Sequence, residues 1–253
     1  MQALAGENMP VLIVALLDAD VQEQAFQFIV INNKAVRVPT DNVKAIIAEI
    51  DEKRLSQRLQ AAGVRYGEIS PILYELNILD ASPFKDLLDW DLNRGGTRIV
   101  PLTAIEQALR YMRAEFTMLD EDEDSLLDIF CAVWRGIKAA FPGLWAKDNK
   151  LMKKVCLNAI NEFVVHRIKI AWSMNLFDIF EPGVVEEQSL RIAEPLVKDF
   201  WEAPWPGVQI QDNANMRGMI KRDLEQIVEN TKLRRPWNFD VTLVAAEADE
   251  GCE

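Results

Sequence analysis

The sequence predicts a mainly α protein, a helical C-terminal bundle carrying a small α/β portion at its N-terminus. Three observations lead there. After Pro101, apolar residues recur at helical spacing almost without a break to about Asn230. Before it, Pro10-Val-Leu-Ile-Val-Ala-Leu-Leu17 is a short continuous apolar run, the composition of a strand buried on both faces. Apolar residues make up 49% and charged residues 27% of 253, the balance of a globular chain and too hydrophobic for whole-chain disorder. With Gly 11, Pro 11 and no long heptad run, collagen-like and coiled-coil architectures are excluded as well.

The elements follow in order. Asp18 and Asp20 end the strand, and Asp20 caps a helix from Val21 to Ile31 with Ala25, Phe26, Ile29 and Val30 on one face; Asn32-Asn33 should break it. Thr40 or Asp41 caps the next helix, lined by Val43, Ile46, Ile47, Ile50, Leu55 and Leu59 and stopped at Gly63. Two short helices are expected between Gly67 and Asp89, divided by Ala81-Ser-Pro83. Asn93-Arg-Gly-Gly-Thr97 is the clearest turn, and Arg98-Ile-Val100 a short strand.

Thr103 and Glu106 have capping-box spacing ahead of Leu109, Met112 and Phe116. Asp120-Glu-Asp-Glu-Asp124 precedes another apolar helix, where negative charge suits the positive end of the helix dipole better than it suits a cation site. Phe141 to Trp145 forms a corner, Leu151 to Trp172 a long helix, and Glu181 to about Trp201 a further one. A last helix runs from about Asn215 to Asn230, with Phe239 to Val244 as an edge strand. These elements divide the chain into 1–92, a helical domain 101–245, and an acidic tail 246–253.

Catalytic signatures are missing: there is no GxSxG, HExxH, GxxxxGK[ST] or GxGxxG. Cys131, Cys156 and Cys252 are far apart, and with one histidine they make no zinc spacing; Cys131 and Cys156 read as reduced core thiols. The lone His166 sits in an apolar helix and reads as a helix residue rather than a catalyst. No cofactor, metal or membrane span is expected, and the start has no basic signal-peptide region, which points to a cytoplasmic setting.

Net charge is −12, yet it is unevenly spread. Between Lys147 and Lys169, six cations (including Lys150, Lys153 and Lys154) meet two carboxylates, a local balance of +4. From Arg217 through Lys221 and Arg222 to Lys232, Arg234 and Arg235, six cations meet three carboxylates, or +3. Such stretches are either solvated helix faces or phosphate-neutralising patches. The chain holds 7 tryptophans, most of them core candidates; Trp201, Trp205 and Trp237 lie among prolines, where a partner-facing or base-stacking surface is the alternative.

Phe26-Gln-Phe-Ile-Val-Ile-Asn-Asn-Lys-Ala-Val-Arg-Val-Pro39, behind the strand Pro10–Leu17, resembles the DGQHR-domain family. That family includes the DndB-like proteins of DNA phosphorothioation systems and is distantly similar to the ParB nuclease-like fold. The resemblance is specific over about residues 1–45 and only stylistic beyond. It implies that 1–92 is a partial DGQHR/ParB-like α/β region, with the Asp-Gly-Gln-His-Arg motif itself upstream of Met1. It also implies Asn32, Asn33, Lys34 and Arg37 as functional positions; the residue-level alternative for Asn32-Asn33 is a helix end or Asx turn. The spacing from Asn33 to Arg37 departs from the ParB Glu-Asn-x-x-Arg pattern, so nucleotide binding is not carried over.

The expected function is a DNA-associated regulatory or accessory protein of a bacterial DNA-modification or defence system, DndB-like and non-catalytic in this form. Its partners would be duplex DNA, met at Lys150, Lys153, Lys154, Arg217, Lys221 and Arg222, and other proteins of the same system; homo-oligomer formation is left open. The alternatives are a helical protein–protein interaction module working through Trp201 and Trp205, and a fragment of a ParB-like nucleotide hydrolase or nuclease.

Overall fold

The computed structural model describes residues 19–35, 71–89, 97–119, 122–206 and 210–244. The chain divides into two compact units, Met1–Glu68 and Ile69–Glu253, and is mainly helical. The division therefore falls before residue 71 and not at the Asn93–Thr97 turn: residues 71–89 pack with the helical part. Strand Pro10–Leu17, the helix from Val43, residues 93–96, Trp90, Cys252 and the tail 246–253 lie outside the described residues.

In the first unit, helix α1 (Val21–Ala35) starts where Asp20 Oδ1 accepts from the Glu23 amide at 2.7 Å. It runs on through Asn32-Asn33, correcting the expected break. Asparagine costs a helix only a few tenths of a kcal/mol relative to alanine, at most about 0.7, and no proline or left-handed residue enforces a stop there. Ile29 is fully buried, whereas Val21, Phe28 and Ile31 are exposed.

The second unit begins with α2 (Pro71–Ile78), after which turns replace the second short helix expected there. The Ser82 hydroxyl donates to Leu76 O and accepts from the Phe84 amide, and this tight return drives Phe84 into the core. There Phe84 meets Phe130, Trp134 and Trp145 at 5.1–5.9 Å between ring centroids. Two two-residue strands, β1 (Leu88–Asp89) and β2 (Val100–Pro101), pair in parallel, with Leu88 opposite Val100.

The bundle consists of α3 (Leu102–Glu115), α4 (Glu123–Ala140), α5 (Lys154–Ser173), α6 (Pro182–Ala193), the single turn α7 (Asp199–Glu202) and α8 (Ala214–Lys232). Helix α3 starts at Leu102, behind an extended Pro101 without a side-chain cap, so the Thr103–Glu106 box does not form its start. Proline fixes φ and offers no N–H, and pairing in β2 sets the boundary two residues early. At α4 the described part of the acidic run, Asp122–Asp124, opens the helix as expected, with Asp122 accepting from the Ser125 amide at 3.0 Å.

The long helix expected from Leu151 opens instead with a 3-10 turn, Lys150–Met152, before α5. The helix expected from Glu181 to Trp201 is two, because Pro195 cannot continue α6. Residues Phe239–Val244 form turns, not a strand. Asp223, buried on α8, accepts from Thr242 N (3.1 Å), Thr242 Oγ1 (2.7 Å) and Leu243 N (2.8 Å), which satisfies backbone groups that a sheet would otherwise pair.

Helix α5 is the hub. Buried Asn161 accepts from Trp134 Nε1 at 3.1 Å and donates to Ala108 O at 3.3 Å, tying α5 to α4 and α3. The pairs Ala108–Asn161 and Glu115–Lys169 keep a nearly constant sequence offset, so α3 and α5 run in the same sense. The same holds for α5 and α8, from Glu162–Lys221 and Arg167–Glu225. Cys131 and Cys156 are free and buried, as expected, and burial pushes their thiols up to about 11 and about 12.

Candidate nucleic-acid interface

The basic residues singled out in the second half of the chain come together where α5 and α8 lie side by side, but not as free charge. Arg217 on α8 reaches Glu162 Oε1 at 3.1 Å and Asp212 Oδ1 at 2.6 Å; Lys221, one turn on, reaches Glu162 Oε2 at 2.6 Å. Lys154, opening α5, meets Asp212 Oδ2 at 3.0 Å. Spacing i, i+4 places Arg217 and Lys221 on the same edge of α8, facing α5. Glu162 is only 12% exposed, so its carboxylate is held by two cations at low solvent screening. Three cations share two carboxylates, which leaves one positive charge uncancelled.

Lys150 is placed otherwise. Its ammonium donates to Trp201 O at 3.0 Å and Glu202 O at 3.3 Å and lies 5.7 Å from the Trp205 ring centroid. Burial lowers its pKa. It fastens the turn before α5 to α7, and this use occupies it. Lys153 and Arg222 are exposed and have no ion partner among the described residues. Asn32, Asn33 and Lys34 ride on the α1 backbone, their side chains outside the described residues, as is Arg37 altogether.

The charged seam continues up α5. Arg167 meets Glu225 at 3.4 Å, its guanidinium 3.8 Å from the Phe163 ring centroid. Lys169 meets Glu115 at 2.8 Å. Burial works to raise the Glu115 pKa, but Lys169, the Tyr111 hydroxyl and nearby His166 together bring it below the ordinary value. Burial, with the negative charge of Glu115 and Glu162, holds the Tyr111 hydroxyl well above its ordinary range. His166 itself is exposed. Among the described residues no cluster of three or more His, Cys, Asp or Glu is arranged to hold a metal ion, and no helix is long and apolar enough to cross a membrane.

Trp201 and Trp205 are core residues, and the alternative of a partner-facing surface built on them falls away. Both are buried, packed on Phe200 at 5.0 and 5.1 Å, and the Trp205 indole donates to Phe200 O at 3.0 Å. The prolines around them form a rigid wrapping of core. Trp237, by contrast, is half-buried in the turn after α8.

Two features escaped the sequence reading. One is the pinning of that turn by Asp223 and Asn230, polar residues seven apart on the apolar stripe of Met216, Ile220, Leu224 and Ile227; their place on that stripe was the available signal. The other is an apolar shoulder between α5 and α6, where Ile170, Met174, Leu176 and Phe180 are each about half exposed or more. Comparison with protein-family models, with curated proteins and with solved structures finds no match for this chain.

Proposed function

We propose that this chain is a non-catalytic accessory protein that associates with duplex DNA, of the regulatory kind that the DGQHR, DndB-like resemblance implies for a DNA-modification or defence system. The observation that carries the reading is the positive surplus on the α5–α8 edge. Lys154, Arg217 and Lys221 outnumber Glu162 and Asp212, and Lys153 and Arg222, next to Lys154 and Lys221 in sequence, are exposed cations on the same two helix stretches. Phosphate contacts of this kind supply sequence-independent affinity that falls steeply with salt.

The test is fluorescence anisotropy of a labelled duplex across a salt series. Because Lys154, Arg217 and Lys221 hold the fold together, the informative variant is K153E/R222E. It should weaken binding at least about tenfold and lower the log–log salt slope by about 2, one for each phosphate that the variant no longer neutralises. Unchanged affinity and slope would overturn the reading. A second reading, a module docking another protein of the same system, is favoured by the apolar shoulder from Ile170 to Phe180, since exposed apolar patches mark contact sites.

A further inference from the structure

We propose that the knuckle after α8, residues 232–239, is a binding site for single-stranded nucleic acid, with Lys232, Arg234 and Arg235 on the backbone and Phe239 under a base. This stands on residues that the α5–α8 edge does not use. The ten residues 230–239 carry three cations and no carboxylate, in a chain whose net charge is −12. All three cations are exposed, with no ion pair among the described residues. Lys154, Arg167, Lys169, Arg217 and Lys221 are met by carboxylates from neighbouring elements, whereas these three cations, like Lys153 and Arg222, are met by none among the described residues.

Charge alone describes a solvated loop; two further observations point to a ligand. First, apolar rings stand among the cations in the open. Phe239 is 45% exposed with the Arg235 guanidinium 5.1 Å from its ring centroid, and Trp237 is half-buried in the same turn. A guanidinium over one face of a half-exposed ring is the kind of platform on which any base can stack, because every base has a π-face. Second, the knuckle is held in shape from inside. Asn230, fully buried, donates through Nδ2 to Trp237 O at 2.9 Å and Phe239 O at 2.7 Å, and its own carbonyl accepts from the Arg235 amide at 2.9 Å.

Arg234 (φ 55°) and Asp240 (φ 57°) occupy the left-handed region that closes the turn, and Asp223 fixes the stretch of chain beyond it. A preorganised loop binds without the ordering cost of a flexible basic tail. Duplex DNA hides its base faces, so an exposed ring favours unpaired bases; an acidic peptide would use the cations but leave Phe239 idle.

The experiment titrates the full chain into a fluorescein-labelled thymidine oligonucleotide of about 16 nucleotides. Binding is expected to show a log–log salt slope of about −2, from about −0.7 for each of three phosphates. R234E/R235E should raise Kd more than about tenfold and flatten that slope. F239A should raise Kd about tenfold with the slope unchanged, F239Y should restore binding, and circular dichroism should be the same for all. K153E/R222E should raise the single-strand Kd far less than R234E/R235E does, and the reverse should hold for a duplex, which separates this site from the duplex face. Absence of binding overturns the proposal. So does an F239A variant of wild-type affinity, above all if polyglutamate competes as well as the oligonucleotide, which would make the knuckle an acidic-peptide surface.

Discussion

Gly136 offers a sharp test of how the bundle is assembled. It lies in the middle of α4, where glycine costs about 0.5–1 kcal/mol relative to alanine, and its place there is explained by the crossing with α6. An added Cβ would lie 2.5 Å from Glu186 O, 2.5 Å from Ser189 Cβ and 2.7 Å from Leu190 N. Ordinary contact begins near about 3.4 Å, so α6 would have to retreat by close to 1 Å, and a gap of about 0.5–1 Å already forfeits a quarter to a half of each dispersion well. Two of the three atoms are backbone, so no side chain can rotate away. Overpacking of this kind costs about 1–3 kcal/mol, and a crossing closed by backbone belongs at the top of that range. The helix-propensity gain of about 1 kcal/mol offsets part of it.

G136A should therefore destabilise by about 2 kcal/mol, lowering Tm by about 4–8 °C. Gly218, inside α8 with open space where its Cβ would go, is the control. G218A should be neutral to stabilising, by up to about 1 kcal/mol, through the same propensity term. Urea unfolding at constant m reads both. If G136A proves as stable as the wild type, the close approach of α4 and α6 is not a feature of the folded protein and the reasoning fails.

The other predictions concern single carboxylates. D223A should destabilise by about 2–4 kcal/mol and expose the Thr242 and Leu243 amides to hydrogen exchange, since three donors lose one buried acceptor; slow exchange at both amides in D223A would refute this. Glu115, held below its ordinary pKa in the fold, binds fewer protons folded than unfolded just below about pH 4.3. Its contribution is therefore complete above that pH and lost as pH falls through the folded value; urea midpoints of E115Q should lack that part of the acid slope, and identical slopes would contradict the pairing with Lys169.

What was legible in the sequence was whatever a local pattern sets. Leu102, Ile105, Leu109, Met112 and Phe116 repeat at helical spacing, and all are buried. Asp20 and Asp122 precede helices and cap them, because a side-chain acceptor two or three residues from an orphan amide needs no tertiary context. What was not legible depended on partners distant along the chain. Residues 239–244 alternate in a strand-like way but are committed to turns by Asp223, about one helix length earlier, and Trp201 and Trp205 look loop-bound until Phe200 and Lys150 close over them. The candidate site was half visible: Lys154, Arg217 and Lys221 do converge, while Lys150 was assigned outward on charge and is turned inward by two carbonyls.

The same distance effect explains why counting charge along this chain misleads. A balance of +4 over Lys147–Lys169 sets the cations only against Asp148 and Glu162. Helices lying side by side bring carboxylates from far away: Glu115, Asp212 and Glu225 reach Lys169, Lys154 and Arg167 from other elements, and Lys221 finds Glu162 at a separation of 59 residues. In an acidic bundle, a cation on the side of a helix sits where a neighbouring helix can supply a carboxylate, and its charge is then absorbed into packing. A cation at the end of a helix, on a turn that no second helix flanks, keeps its charge for solvent or a ligand. Lys232, Arg234 and Arg235 are in that position; Lys154 and Arg217 also lie in the first turns of their helices, but Asp212 and Glu162 reach them there. The place to look for a polyanion on such a protein is therefore at cations that no neighbouring element pairs, Lys153 and Arg222 as well as the three at the end of α8.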